Sequence, residues 1–403
     1  SFPTRRSSDL PVTENLISAQ NVIELLQLAE LDNYFQEACA RVNNVNLSEI
    51  DSNAAVISTI FLPDRSQPQT LELILSLPND LRFHYSVSLE GFRFNNYLQA
   101  LTKSLERKPQ QNPNIWRKNN LTDLQDMYED LIEPVEEILQ ANNVETLVFV
   151  LDGLLQNVPM AALYDGEKYL IEKYAIALTP GLQLLPQRNL EIGQIKVLAV
   201  GRSDFGNDIP LEDWNDLHNV EDELDEIAEI LPTQKLLNQR FTISNLRGKI
   251  NSLDFPLVHI ATHGKFDSTS ENTFIIAWEE TISIDRLGQI LQVSDPTRLK
   301  DIELLVLSAC QTAQGNERTA LGMAGAAIRV GARSTLASLW NVNDRSTAKL
   351  MAQFYQELET SADANRVNKA EALRQAQISL LRGEENFQNP HFWAPFVLVG
   401  HWL

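Results

Sequence analysis

From residue 195 to the C-terminus, short apolar runs alternate with segments whose apolar residues recur every three or four positions. The runs are IKVLAVG (195–201), LVHIATH (257–263), FIIAW (274–278), ELLVLSAC (303–310), STLASLW (334–340) and FVLVG (396–400). Between them, 218–231, 242–250, 284–292, 320–330, 345–359 and 366–382 carry the helical period. In 345–359, Leu350, Met351, Phe354, Tyr355 and Leu358 fall on one stripe. Continuously apolar strands alternating with helices predict an α/β fold, a mostly parallel sheet with helices on both faces.

The upstream pattern differs. AAVISTIFL (54–62) and TLELILSL (70–77) flank a Pro-Asp-Arg-Ser-Gln-Pro turn and predict an antiparallel hairpin, with LRFHYSVSL (81–89) as a third strand. Helices are expected near 92–106 and 121–141, with a Pro-broken polar loop at 107–120. VETLVFVLDGLL (144–155) and KYLIEKYAIALTP (168–180) are strand-like, and polar residues at 187–195 suggest a boundary. Residues 15–45 read as helix on Val22, Leu25, Leu28, Leu31, Phe35 and Ala38. Residues 1–10, SFPTRRSSDL, are the translation of TCT TTC CCT ACA CGA CGC TCT TCC GAT CT, which resembles a sequencing-adapter oligonucleotide. They are expected to be foreign to the protein, and the native sequence to start upstream of residue 11.

Composition narrows the function. The 403 residues are 43% apolar and 22% charged, a globular profile. Lys+Arg number 33 against 54 Asp+Glu, and a formal charge of −21 argues against nucleic acid and anionic membrane surfaces as partners. No run of 18 apolar residues occurs, so no membrane span is expected. Two cysteines rule out a disulfide scaffold or a Cys-rich zinc module and favour a reducing, cytoplasmic setting. The acidic stretch 212–229 reads as the solvated face of an amphipathic helix with Val220, Leu224, Ile227 and Ile230 inward, rather than as a site for a basic partner.

Two expected strands end in reactive groups, at His263-Gly264 and at Cys310. In open α/β sheets the ligand crevice lies beyond the carboxyl ends of the strands, so the two would meet there. A thiolate is a nucleophile, and an imidazole can take the thiol proton and return it to a leaving amine. The 47-residue separation is close to the roughly 50 of the caspase His-to-Cys order. The amides of Gly264 and Cys310 would form a two-donor oxyanion hole. Against this, a strand-end cysteine also serves as a small hydrophobe and a lone histidine as a core residue, and on the residues alone both readings stand. His259 and His263 are no zinc pair, lying about 13 Å apart along a strand and lacking a zincin's Glu. GRSDFG (201–206) and Gly248-Lys249 match no nucleotide or hydrolase motif. No metal or organic cofactor is expected.

The stretches ATHGKFD (261–267), LLVLSACQTAQG (304–315), AGAAIRVGARSTLASLWNVND (324–344), LMAQFYQEL (350–358), ALRQAQISLL (372–381) and HFWAPFVLVG (391–400) resemble the CHAT domain of the caspase, separase and gingipain group of cysteine peptidases. DGLLQNVPMAAL (152–163) and Thr179-Pro180 resemble its upstream half, so the likeness runs from about 54 to 403. The variant looks most like cyanobacterial members, many of which carry TPR repeats before the CHAT domain.

The resemblance implies His263 as general base and Cys310 as nucleophile in a cysteine endopeptidase acting on protein substrates through a thioester. It implies a silent caspase-like half at 54–192, a catalytic half at 195–403, and a helical remnant of an upstream region at 11–50. A regulatory partner acting through missing N-terminal repeats belongs to the same expectation. The caspase motif is not met, because Ser308-Ala309-Cys310-Gln311-Thr312 replaces its outer residues, so caspase preference for Asp is not carried over. Asp267 and Asp152 lie in matched motifs and are candidate substrate-binding acids, with a turn or capping role as the alternative. Trp340 could line the cleft or be core. Asp344 is expected to cap helix 345–359, with Asn343 as competitor. Cys39 receives no role. Two rivals to the peptidase are a signalling scaffold with absent or latent proteolysis, and acyl transfer without proteolysis by the same dyad.

Overall fold

The computed structural model of the chain describes residues 10–35, 47–62, 69–89, 94–107, 113–184, 195–206, 214–252, 255–266, 272–291, 302–308, 311–312, 331–363, 367–383 and 387–403. Helix α1 (Leu10–Phe35) precedes strands β1 (Ala54–Leu62), β2 (Gln69–Ser76) and β3 (Arg82–Leu89). Helices α2 (Phe94–Glu106), α3 (Pro113–Leu131) and α4 (Glu133–Ala141) lead to β4 (Thr146–Val150) and β5 (Ala175–Leu178). Then come β6 (Val197–Gly201), α5 (Val220–Ile230), β7 (Thr233–Leu237), α6 (Ile243–Ser252) and β8 (Leu257–Ala261). Three short strands follow, β9 (Gly264–Phe266), β10 (Phe274–Ile276) and β11 (Thr281–Ser283), and then α7 (Ile284–Leu291). The chain ends with β12 (Ile302–Leu307), β13 (Gln311–Thr312), β14 (Ala332–Ser338), α8 (Asp344–Asp363), α9 (Lys369–Arg382) and β15 (Phe396–Gly400).

Eleven strands form one sheet in the order β3-β2-β1-β4-β5-β15-β14-β12-β8-β6-β7. The hairpin β1–β2 and the pair β2–β3 are antiparallel, while β1, β4, β5 and β15 run parallel. β15 then meets β14 antiparallel, and β14, β12, β8, β6 and β7 are again mutually parallel. The strands before residue 195 therefore occupy one flank and those after it the other, joined at β5–β15. Because β14–β15 is antiparallel, β4 and β5 end at one edge of the sheet and β6, β8, β12 and β14 end at the opposite edge. The order of β14, β12, β8 and β6 places β8 and β12 side by side, with Val306 opposite His259. Their residues are buried on both faces, as the unbroken apolar runs require.

Several expectations are corrected. FIIAW does not join the main sheet: Phe274–Ile276 pairs antiparallel with β11 and β9 in a small second sheet of order β11-β10-β9-β13. The segment 113–120 is not loop but the start of α3, with Pro113 in its first turn, where the missing N–H is not needed. Of 144–155 only Thr146–Val150 is strand, and of 168–180 only Ala175–Leu178, preceded by a helical turn at Leu170–Lys173. The expected helix at 320–330 lies outside the described residues. In α1 the inward face is Gln20, Ile23, Glu24, Gln27 and Leu31, while Val22, Leu25 and Leu26 are 61%, 52% and 45% exposed. The polar members of that face have partners: Gln20 accepts from Ser76 Oγ and Arg82 Nε, Glu24 from Gln183 N, and Gln27 from Gln156 Nε2. In α5, Val220, Leu224 and Ile227 are buried as expected, and Ile230 is half-buried.

The C-terminus is tied into the core. Trp393 and Trp402 are fully buried, and the Trp402 indole N–H donates to Asp51 Oδ2 at 3.0 Å, beside the start of β1.

Candidate active site

β8 ends at Ala261, and two residues later His263 stands at the edge where β6, β12 and β14 also end. The histidine is 8% exposed. Its backbone carbonyl accepts from Ile276 N at 2.9 Å, and Thr262 Oγ1 donates to the Ile276 carbonyl at 2.7 Å, so the small sheet fixes its backbone. The ring lies between Phe205 (centroids 4.6 Å, edge-on) and Trp214 (4.8 Å, tilted). Phe205 is held in turn by Arg202. That guanidinium stacks on Phe205 and Trp278 and donates to the carbonyls of Asp204, Ala277 and Trp278.

His263 Nε2 lies 2.8 Å from the backbone carbonyl of Asn215. A carbonyl only accepts, so Nε2 carries the proton, and in the neutral ring the lone pair sits on Nδ1. Burial holds the imidazole below its usual range, opposed by the Asn215 hydrogen bond and by the negative charge of Asp344. The result is a neutral base of fixed tautomer at neutral pH.

Ladder geometry fixes the neighbouring amide. His263 and Ile276 share a hydrogen bond, and the next opposed pair is Gly264 with Ile275. Antiparallel ladders alternate hydrogen-bonded and non-bonded pairs, so the Gly264 N–H turns away from β10, toward the side where β13 pairs with β9. There Gln311 is opposite Lys265. Cys310, the expected nucleophile, lies outside the described residues. In sequence it falls between Ser308, which follows β12, and Gln311.

The other expected site residues separate. Asp267 lies outside the described residues. Asp152 follows β4, so it stands at the opposite edge of the sheet from His263 and about 24 Å along it, counting five strand spacings. Its carboxylate accepts from Phe61 N at 2.9 Å and its own amide donates to Thr59 Oγ1, so it closes the end of β1 and is not at the site. Trp340 follows β14 at the His263 edge but is 3% exposed, with its indole N–H on the His391 carbonyl, which makes it core. At the start of α8, Asn343 is the cap: its Oδ1 accepts from Ser346 N at 3.1 Å. Asp344 turns instead to α5 and accepts from both the backbone N–H and Nδ2 of Asn219, each at 2.7 Å.

Behind the site, His259 is fully buried with Glu223 Oε1 2.9 Å from Nε2 and Tyr355 Oη 3.2 Å from Nδ1. The Glu223 contact is an ion-pair approach rather than an aligned hydrogen bond. Burial, then the Glu223 charge, holds the Tyr355 phenol well above its usual range. No cluster of three or more potential metal-ligating side chains occurs among the described residues.

Over residues 121–401 the sequence matches the family model of the CHAT domain. The chain belongs to the CHAT domain family. Among solved structures, this CHAT chain is similar to a chain of the Saccharomyces cerevisiae separase–securin complex, at 11% identity and TM-score 0.55, over 88% of this chain and 30% of that one. A second structure of that complex gives 12% identity and TM-score 0.50, over 94% and 31%. The Arg-specific cysteine proteinase gingipain R matches at 9% identity and TM-score 0.42, over 76% and 73%. At these identities the likeness to the separase complex is one of fold, and the CHAT chain spans about a third of the length of the chains it matches there. No curated protein matches the sequence. The mostly parallel, helix-flanked sheet is thus a caspase-like α/β fold. No helix among the described residues is long and apolar enough to cross a membrane.

Proposed function

We propose that this CHAT chain is a cysteine endopeptidase that cleaves protein substrates with His263 as base and Cys310 as nucleophile. The observation that carries the reading is the state of His263. Its Nε2–H is committed to the Asn215 carbonyl, which leaves Nδ1 basic at the edge where β8 and β12 end. On this reading Nδ1 takes the Cys310 proton, and the thiolate attacks the scissile carbonyl. The Gly264 and Cys310 amides hold the oxyanion, and the imidazolium protonates the leaving amine. His263 then deprotonates a water, which hydrolyses the thioester and restores the thiol. The chemistry uses two side chains and two amides.

The two flanks of the sheet fit a division into a silent half at 54–192 and a catalytic half at 195–403, since their parallel strands end at opposite edges. The low cysteine count suits a reducing, cytoplasmic setting. A regulatory region N-terminal to the chain belongs to the same reading, with the exposed Val22, Leu25 and Leu26 as the surface it would cover. The test is a peptide-library cleavage profile of the full chain against its Cys310→Ala and His263→Ala variants. Cleavage lost in both, with folding intact, supports the reading. Equal cleavage by a folded Cys310→Ala chain excludes it.

A further inference from the structure

We infer that Asp344 is a positioning residue for His263, acting through the 214–219 segment without touching the imidazole. The inference deepens the peptidase reading and rests on it for its functional meaning.

Asp344 opens α8, yet its carboxylate does not cap its own helix, a task that falls to Asn343. Among the described residues it accepts from Asn219, the residue before α5, through the backbone N–H and Nδ2, each at 2.7 Å. Asn219 ends the segment whose Asn215 carbonyl accepts the His263 Nε2 proton at 2.8 Å. Two further bonds pin the segment to the turn after β6: Leu217 N to the Ser203 carbonyl, and Phe205 N to Asp216 Oδ1, each at 2.9 Å. A carboxylate at the head of α8 therefore anchors one end of the 214–219 strap, which presents a carbonyl to the catalytic base. A backbone carbonyl orients an imidazole but brings no charge to the imidazolium that forms during turnover. Asp344 supplies that charge one step removed.

Among the described residues, the other charged or titratable side chains on these elements are Arg202, Asp204, Asp216 and the exposed His218 on the segments after β6, and Lys265 on β9. Arg202 is spent on three carbonyls, Asp216 on Phe205 N and Asp204 on Gly206 N. Among the described residues Asp344 is the one whose charge raises the affinity of His263 for its proton.

The test is NMR titration of the imidazole nitrogens of the full chain, with His263→Ala to assign the signal. In the wild-type chain neutral His263 should be the Nε2–H tautomer. Asp344→Asn keeps an acceptor for Asn219 but removes the charge, and should move the His263 midpoint below that of the wild-type chain. Asp344→Ala removes both, and should also admit the Nδ1–H tautomer. Asp344→Glu, which keeps the charge, should restore the midpoint toward wild type. A midpoint and tautomer unchanged in Asp344→Ala, or in Asp344→Asn should the alanine variant not fold, overturn the inference. The readout needs no turnover, so failure of the peptidase reading, seen as uncleaved peptides with the wild-type chain, is distinguishable from failure of this one.

Discussion

The buried Glu223–His259–Tyr355 network makes the sharpest energetic prediction. Glu223 and His259 are 1% and 0% exposed, so neither can be rehydrated in place when its partner is removed. Truncating Glu223 to Ala leaves His259 Nε2 facing a void 2.9 Å from where the carboxylate stood. The loss should be about 1–5 kcal/mol, the range from stranding one buried polar group to orphaning one member of a buried pair. That is a substantial part of the roughly 5–15 kcal/mol that holds a native protein together. Tyr355→Phe strands Nδ1 instead, 3.2 Å from the lost hydroxyl, and should cost about 1–3 kcal/mol. Because both act on one ring, the double variant should depart from additivity by at least about 0.5 kcal/mol. The assay is urea unfolding followed by tryptophan fluorescence and circular dichroism, with midpoints compared at unchanged slope. A Glu223→Ala change within about 0.5 kcal/mol of wild type, or strict additivity with Tyr355→Phe, would refute the network.

Three further outcomes follow from the packing. Gly400 has φ +105° and a Cβ there would lie 2.5 Å from the Arg333 carbonyl, so Gly400→Ala should cost several kcal/mol or prevent folding, read by soluble yield and unfolding midpoint. Lys369 is 2% exposed and burial, partly offset by Glu303, brings its amine down to about 7 from 10.5. Between about pH 7 and 10.5 the unfolded chain binds the extra proton, so stability should rise with pH across that window, and Lys369→Met should flatten the rise in unfolding measured at several pH values. Ile23→Ala in α1 should cost about 2–4 kcal/mol whereas Val22→Ala should stay within about 0.5 kcal/mol, a contrast that equal midpoints would contradict.

The sequence is most legible where burial is symmetrical. β6, β8, β12 and β15 are near-continuous apolar runs covered on both faces, and each is an expected strand. Periodicity is a poorer guide where a helix carries apolar residues all round, as α1 does. Counting Val22, Leu25 and Leu28 selects one stripe, but Gln20, Glu24 and Gln27 find partners on other elements and turn a different stripe inward. A count of apolar positions is blind to such cross-links. β9, β11 and β13 are two or three residues long, too short for any period to register. Pro113 reads as a breaker until its place in the first turn of a helix is known. At the site, a strand-end histidine is visible in the sequence because its residue type carries the chemistry. The Asn215 carbonyl is not, since any residue supplies one. Asp344 illustrates a third case, in which residue type and position both suggest a helix cap and the adjacent Asn343 takes that place, freeing the carboxylate for α5.

The central claim, that His263 activates Cys310, is tested most directly by the pH dependence of Cys310 alkylation. The wild-type chain and His263→Ala are treated with iodoacetamide across pH 4–10, roughly the span over which thiols and imidazoles titrate, and Cys310 is resolved from Cys39 by peptide mass spectrometry. The account predicts rapid wild-type alkylation well below the ordinary thiol midpoint of about 8.5, lost in His263→Ala. Superimposable curves for the two chains, both rising near 8.5, would contradict it.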